Sequence, residues 1–225
     1  MNLKREFLPS GRGTVLRKNG SEELSITIDS PNFQNIFMIN GTSLIDEITK
    51  QDLLVSPDDH YMIINNKKQP IEIHYNLDIS NQDIVYNPYK YENSEKIKLT
   101  PEPFIEKFQI PNNYMDTLPK WYSFKFTYSE YNLIFVRPEI GLSIQIHDHR
   151  DEYWEIIKGK PIVISGNKVD YFVENGTKFQ NQRNTYHSVI NVNKEVNKFV
   201  IIKEIWKGKF DENDIKRIFN PNHYH

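Results

Sequence analysis

The chain has 225 residues, a formal net charge of −2 and no cysteine. That length suits one large or two small domains, and the interspersed charges exclude the clustered Lys/Arg surface that nucleic-acid binding needs. Without cysteine there is neither a disulfide scaffold nor a thiolate metal site. This composition fits a reducing cytosol. The segment Met1–Phe7 has no apolar core of signal-peptide length, and no apolar run is long enough to span a bilayer, so a cytoplasmic, membrane-free location is expected. The 13 Tyr and 13 Phe, together with many Ile and Val, favour strands.

In chain order, Leu24, Ile26 and Ile28 alternate with polar residues, the period of a strand. Ile36–Ile39, Tyr61–Ile64 and Ile71–Tyr75 read the same way, with Asn40-Gly41 as a turn. Asn19, Asn40 and Asn175 open Asn-Gly-Ser/Thr triplets, which read as turns and not as glycan acceptors. Residues 42–54 hold a short helix or a broken strand. Pro88, Pro101, Pro103, Pro111 and Pro119 then interrupt any ladder or helix interior. They define a linker or extended wrap, with a short helix around Pro103–Lys107 and a domain boundary near 117–120. Residues 1–117 are thus expected to form a β-rich N-terminal domain and residues 118–225 a second domain.

In that second domain strands are expected at 122–128, 131–136, 142–147, 152–158, 160–165, 168–174, 187–192 and 199–206. Short, evenly spaced strands point to a sandwich or jelly-roll barrel, making the whole chain all-β. Asp211–Phe219 reads as a C-terminal helix capped by Asp211, with Asp214 in its first turn. No internal repeat is visible.

The chemistry concentrates in Gly141–Trp154. Side chains two apart on a strand share a face, so Gln145 and His147 point opposite to Ile144 and Ile146. His149 joins them only if the strand continues that far. Glu152 opens the next strand, and His187, with Asn191 four residues on, follows downstream. Imidazole and carboxylate groups suit a borderline divalent cation, zinc first, then manganese, iron or cobalt. A histidine in a strand is more often simply a core or surface residue, and His60, His74, His223 and His225 have no such context.

The spacing Gly141-x5-His147-x-His149-x2-Glu152-x6-Gly159 resembles the first cupin motif. Gly176-x5-Gln182-x-Asn184-x2-His187-x3-Asn191 resembles the second, with Gln182 and Asn184 standing where the family has Pro and Gly. Leu142–Trp154 is more closely similar to the segment Leu-Ser-Leu-Gln-x-His-His-His-Arg-x-Glu-His-Trp of type II mannose-6-phosphate isomerases. These also occur as the C-terminal domain of mannose-1-phosphate guanylyltransferases. The similarity runs from Pro119 to Arg217. It implies a cupin barrel whose metal is held by Gln145, His147, Glu152 and His187, the alternative set replacing Gln145 by His149.

The resemblance also implies aldose–ketose interconversion of a sugar phosphate through an enediolate, with His149 as base and Arg150, or less directly Lys203 and Arg217, on the phosphate. Trp154 lines the sugar pocket or is core. A non-catalytic cupin that binds a sugar or sugar nucleotide is the alternative, and a metal-dependent oxygenase is a third. Residues 1–117 are either a second, degenerate cupin barrel, as in a bicupin, or an unrelated β-domain. Because cupins commonly pair their barrels, a homodimer is also expected. Ser10–Arg17 faintly resembles a nucleotidyltransferase phosphate loop, but Val15 replaces its Arg and the match is coincidental.

Overall fold

The computed structural model describes residues 4–209, 211 and 213–223. Its first ten strands are β1 (Lys4–Leu8), β2 (Arg12–Gly13), β3 (Leu16–Lys18), β4 (Leu24–Asp29), β5 (Ile36–Asn40), β6 (Ser43–Ile45), β7 (Asp52–Val55), β8 (His60–Asn65), β9 (Ile71–Tyr75) and β10 (Ile84–Tyr86). Helix α1 (Glu102–Phe108) leads to β11 (Asp116–Pro119), β12 (Ser123–Thr127), β13 (Asn132–Val136), β14 (Ile140–Gly141), β15 (Ile144–Ile146) and β16 (Arg150–Lys158). Then come β17 (Ile162–Ser165), β18 (Lys168–Asp170), β19 (Lys178–Asn181), β20 (His187–Asn191), β21 (Val200–Gly208) and β22 (Lys216–Phe219). No helix among the described residues is long and apolar enough to cross a membrane.

The strand order repeats, although the sequence does not. One half has a sheet β1-β9-β4-β7 and the other has β13-β21-β16-β19. The facing sheets run β10-β3-β8-β5-β6 and β22-β15-β20-β17-β18, so each strand of the second half sits twelve places after its counterpart. Residues 4–86 therefore form a second barrel of the same topology. Hydrogen bonds repeat as well. Asn65 and Asn191, both fully buried, close the equivalent strands β8 and β20. The Asn65 amide donates to the Leu8 and Gln69 carbonyls, and Asn191 donates to those of Val136 and Lys198. Each Asn side-chain oxygen accepts the N–H two residues on, from Lys67 and Asn193.

The two barrels share a wall. On β5 and β8, Ile36, Met38, Tyr61 and Ile63 face the first barrel's interior, while Phe37, Ile39, Met62 and Ile64 face outward. The outward set packs on Ile144, Ile162, Ile164, Val169, Ile190 and Phe219 of the second barrel. Burial on both faces makes these two strands unbroken apolar runs, in place of the polar–apolar alternation expected of them. Pairing of Ser43 on β6 with Lys168 on β18 continues one sheet across both barrels.

Residues 42–54 are the broken strand, β6 and β7. Helix α1 forms where a short one was expected. Its Phe104 packs against Phe124, Phe126 and Phe135 on the outer side of the second barrel. The C-terminal helix expected at 211–219 is not formed: Lys216–Phe219 is a strand that pairs with β15, Gln145 lying opposite Arg217. Among the described residues the Asp211 carboxylate accepts the Asn213 N–H alone, a turn rather than a helix start. Asp214 instead caps the backbone N–H groups of Asp148 and His149, each at 3.0 Å. The open edge of β15 and the burial of Phe219 between the barrels outweigh the local capping signal.

Candidate metal centre

β15 is short, and the chain leaves it at Ile146, so the alternation that carries Gln145 and His147 inward ends before His149. His149 is exposed and does not line the cavity described below, which leaves Gln145 as the fourth candidate ligand. β16 delivers Glu152, and β20 delivers His187 opposite Gln145. The imidazoles of His147 and His187 and the Glu152 carboxylate are buried, with their ligand atoms within 4.8 Å of one another.

Both rings are fixed in one tautomer. His147 Nδ1 bonds the Asp214 carbonyl and His187 Nδ1 the Thr185 carbonyl, and a carbonyl can only accept. Each Nε2 is thereby aimed at Glu152, at 3.1 Å for His147 and 3.6 Å for His187. His187 Nε2 is buried with no hydrogen-bond partner among the described residues. Converging acceptors, orientation by backbone carbonyls and an orphaned imidazole nitrogen fit a divalent cation. Gln145 donates from its amide nitrogen toward His147 Nε2 at 3.4 Å and accepts from Ser143 at 2.7 Å. Half a turn of the amide would present its oxygen instead.

Arg150 is buried in the same cluster. Its Nε donates to Glu152 at 2.8 Å, Nη2 to His147 Nε2 at 3.0 Å and Nη1 to the Asp211 carbonyl at 2.7 Å. Trp154 donates from Nε1 to the other Glu152 oxygen at 3.2 Å. Burial opposes charge on Glu152, but the His147 bond, the two imidazoles and Arg150 hold its pKa down at about 2. Burial lowers His187 to about 4 against the pull of Glu152. His187 is thus neutral at pH 7, and Arg150 is the cation that balances Glu152 there.

A cavity of about 380 Å³ opens beside this centre, reaching Gln145, Arg150, Glu152 and Trp154. Lys120, Lys125, Arg217 and His223 also line it, with Ser123, Ser143 and Ser188 between. Lys203 does not line it but packs over the Tyr131 ring. Glu204 faces the same cavity, and burial reinforced by the charge of Glu152 raises its pKa to about 7. Glu204 was not anticipated, although one acidic residue among Val200, Ile202 and Trp206 on one strand face is a readable signal. Lys120 and Lys125 were missed because nothing local marks them.

Residues 121–220 match a family model described as "Mannose-6-phosphate isomerase C-terminal". They are a cupin domain of that family. No curated protein matches the chain. Among solved structures, an oxalate decarboxylase–formate complex from Lactobacillus farciminis aligns at 10% identity and TM-score 0.37, over 95% of this chain and 78% of that one. A salicylate 1,2-dioxygenase from Pseudaminobacter salicylatoxidans aligns at 8% and 0.30 (91% and 69%). The coconut allergen cocosin aligns at 9% and 0.33 (95% and 78%). At that similarity nothing about this chain's chemistry follows from them.

The cupin domain departs from its family at Gln182 and Asn184, yet keeps the turn. Asn184 takes the left-handed φ of 59°, which Asn tolerates better than most residues, and its N–H bonds the His147 carbonyl at 2.8 Å. In the first barrel the strand pairings put Arg17, Asn19, Leu24 and Tyr61 where the cupin domain has Gln145, His147, Glu152 and His187. That set cannot hold a cation. His60 stacks on Tyr171 across the shared wall, with ring centroids 4.1 Å apart. His74 lies beside Asp29 and Glu72 on the outer sheet, a half-exposed group in which Glu72 also faces Arg5 at 3.6 Å. His223 is exposed at the cavity mouth, and His225 lies outside the described residues.

Proposed function

We propose that this protein is a metal-dependent isomerase that interconverts aldose and ketose phosphates, and that its substrate is a sugar phosphate. One observation carries the reading: a single cavity reaches Glu152 and Gln145, beside the buried His147 and His187 imidazoles, and is also lined by Lys120, Lys125 and Arg217. The cluster suits the oxygens of adjacent sugar carbons, and the mouth suits a dianionic phosphate. The family match on residues 121–220 supports the same reaction class.

Gln145, His147, Glu152 and His187 would hold the ion, which when bound supplies positive charge to the oxygens on which charge develops. Zinc is the first choice for this donor set, with manganese, iron or cobalt next. The chain's own groups do the rest. The Asp214 and Thr185 carbonyls keep both imidazoles aimed inward. Ser123, Ser143 and Ser188 offer hydroxyls to the sugar, while Trp154 closes one wall and keeps Glu152 in place. Arg150 stays cationic at any working pH, so its role is electrostatic, next to Glu152.

The test is elemental analysis of protein purified without chelators, followed by turnover assays on aldose and ketose phosphates. Bound metal with no turnover of any of them would refute the isomerase. A second reading has its own observation: the Arg150 guanidinium already bonds both His147 and Glu152, so the cluster is charge-compensated without an ion. This favours a non-catalytic cupin that binds a sugar or sugar nucleotide. Absence of bound metal together with sugar-dependent thermal stabilisation would select it.

A further inference from the structure

The metal centre leaves one buried ionisable group unused. Glu204 lies on β21, opposite Trp154 on β16 and Asn132 on β13, and is 7% exposed. It lines the cavity together with Glu152, Gln145 and Arg150. Its Oε1 accepts a hydrogen bond from Asn132 Nδ2 at 2.7 Å, the one hydrogen bond its carboxylate makes among the described residues. A buried carboxylate with so little compensation is costly, and Gln at this position would keep the Asn132 bond without that cost. In the first barrel the equivalent position is Tyr75, whose hydroxyl donates to Glu6, so the topology itself does not demand an acid there.

The alternatives for proton transfer are few. His149 is exposed and outside the cavity. Arg150 cannot give up its proton. Glu152 is engaged by His147, Arg150 and Trp154. Lys120, Arg217 and His223 are exposed at the mouth, and the half-buried Lys125 acts on Glu204 as a nearby positive charge.

We propose that Glu204 is a catalytic residue, the carboxylate that carries the proton between the two carbons of the bound sugar phosphate. This rests on the isomerase reading. Glu204 takes the proton from C2 of the aldose. The C2–H pair becomes the C1=C2 bond, and the carbonyl pair moves onto O1. The same carboxyl then returns the proton to C1, while the O2 hydroxyl proton passes to O1 and O2 becomes the ketone oxygen. Atoms and electrons balance without an oxidant or reductant.

The test uses the full chain loaded with zinc or manganese and a panel of aldose phosphates deuterated at C2. Wild type should form ketose and lose the C2 deuteron. Glu204→Gln should lower kcat by about 10²–10⁴-fold, leave KM within about threefold, keep the metal stoichiometry and leave deuterium at C2. Glu204→Asp, which keeps the charge but retracts it by one methylene, should recover part of the rate and guards against misfolding of the Gln variant. An active wild type with an equally active Glu204→Gln refutes the assignment alone, as does a variant whose loss lies wholly in KM or metal content. An inactive wild type in which metal is bound refutes the isomerase reading, and the role of Glu204 falls with it.

Discussion

Replacing Arg150 by Met removes the guanidinium but keeps most of the side chain's apolar volume. Among the described residues, hydrogen bonds to Glu152, His147 and the Asp211 carbonyl disappear, and Glu152 is left as a buried anion beside the His147 and His187 imidazoles. Removing one partner of a buried ion pair costs about 3–5 kcal/mol. For a chain of this size each kcal/mol moves Tm by roughly 2–4 °C, so the metal-free variant should melt about 6–20 °C below wild type. Manganese or zinc should then stabilise the variant more than wild type, because no guanidinium competes for the His147 lone pair and binding to the native state adds RT ln(1 + [L]/Kd). Thermal denaturation followed by circular dichroism, with chelator and with metal at fixed concentration, reads both effects. Melting of the metal-free variant within about 2 °C of wild type, or equal metal-induced shifts in the two proteins, would refute the reasoning that Arg150 stands in for the missing positive charge.

Other outcomes follow from the same structure. The His187 pKa of about 4 lies below its unfolded value near 6.5, so the unfolded chain takes up a proton that the fold refuses. Metal-free stability should therefore fall by about 3 kcal/mol as pH drops from about 6.5 to 4, a slope that urea titrations would show and His187→Asn would flatten. Glu204 runs the other way: its folded pKa of about 7 exceeds the unfolded value near 4.3, so its ionisation burdens the fold as pH rises through that window. Glu204→Gln should be more stable than wild type at pH 8 and indistinguishable from it at pH 4; equal melting at both would contradict its buried placement. Asn65→Ala and Asn191→Ala should each cost about 2–4 kcal/mol, since each strands two or more buried carbonyls, and unequal losses measured in denaturant would argue against the equivalence of the two barrels.

Much of this was legible from local chemistry. Leu24–Ile28 and Ile71–Tyr75 alternate, and they are strands with one face in the core. Gln145 and His147 were placed on one face by strand parity, and Glu152 and His187 do converge with them. Three things were not legible. β19, Lys178–Asn181, is short and polar, and it exists because β16 needs a partner along its edge. Asp211–Phe219 carries helix-start residues whose carboxylates are spent on a turn and on a neighbouring loop, a long-range use that no local pattern reveals. The duplication was one of two options for residues 1–117 and could not be chosen from sequence, because its strands kept their order while exchanging nearly every side chain. Asn65 and Asn191 preserve one bonding scheme on different neighbours, and a single Asn in a sequence does not announce that role.

The wall shared by the barrels bears on how the protein can be divided and how it can change. The first barrel lacks a metal-ligating set, yet its Phe37, Ile39, Met62 and Ile64 cover the back of the strands that carry Gln145 and His187. A gene fragment beginning near residue 118 would leave Ile162, Ile164 and Ile190 facing water and would be expected to precipitate rather than to stay folded alone. Changes inside the first barrel strain its own core of Ile36, Met38, Tyr61 and Ile63, whereas changes on its outer face reach the candidate metal centre of its neighbour. The first half thus acts as a retaining wall, and substitutions on its shared face should be felt at the candidate metal centre.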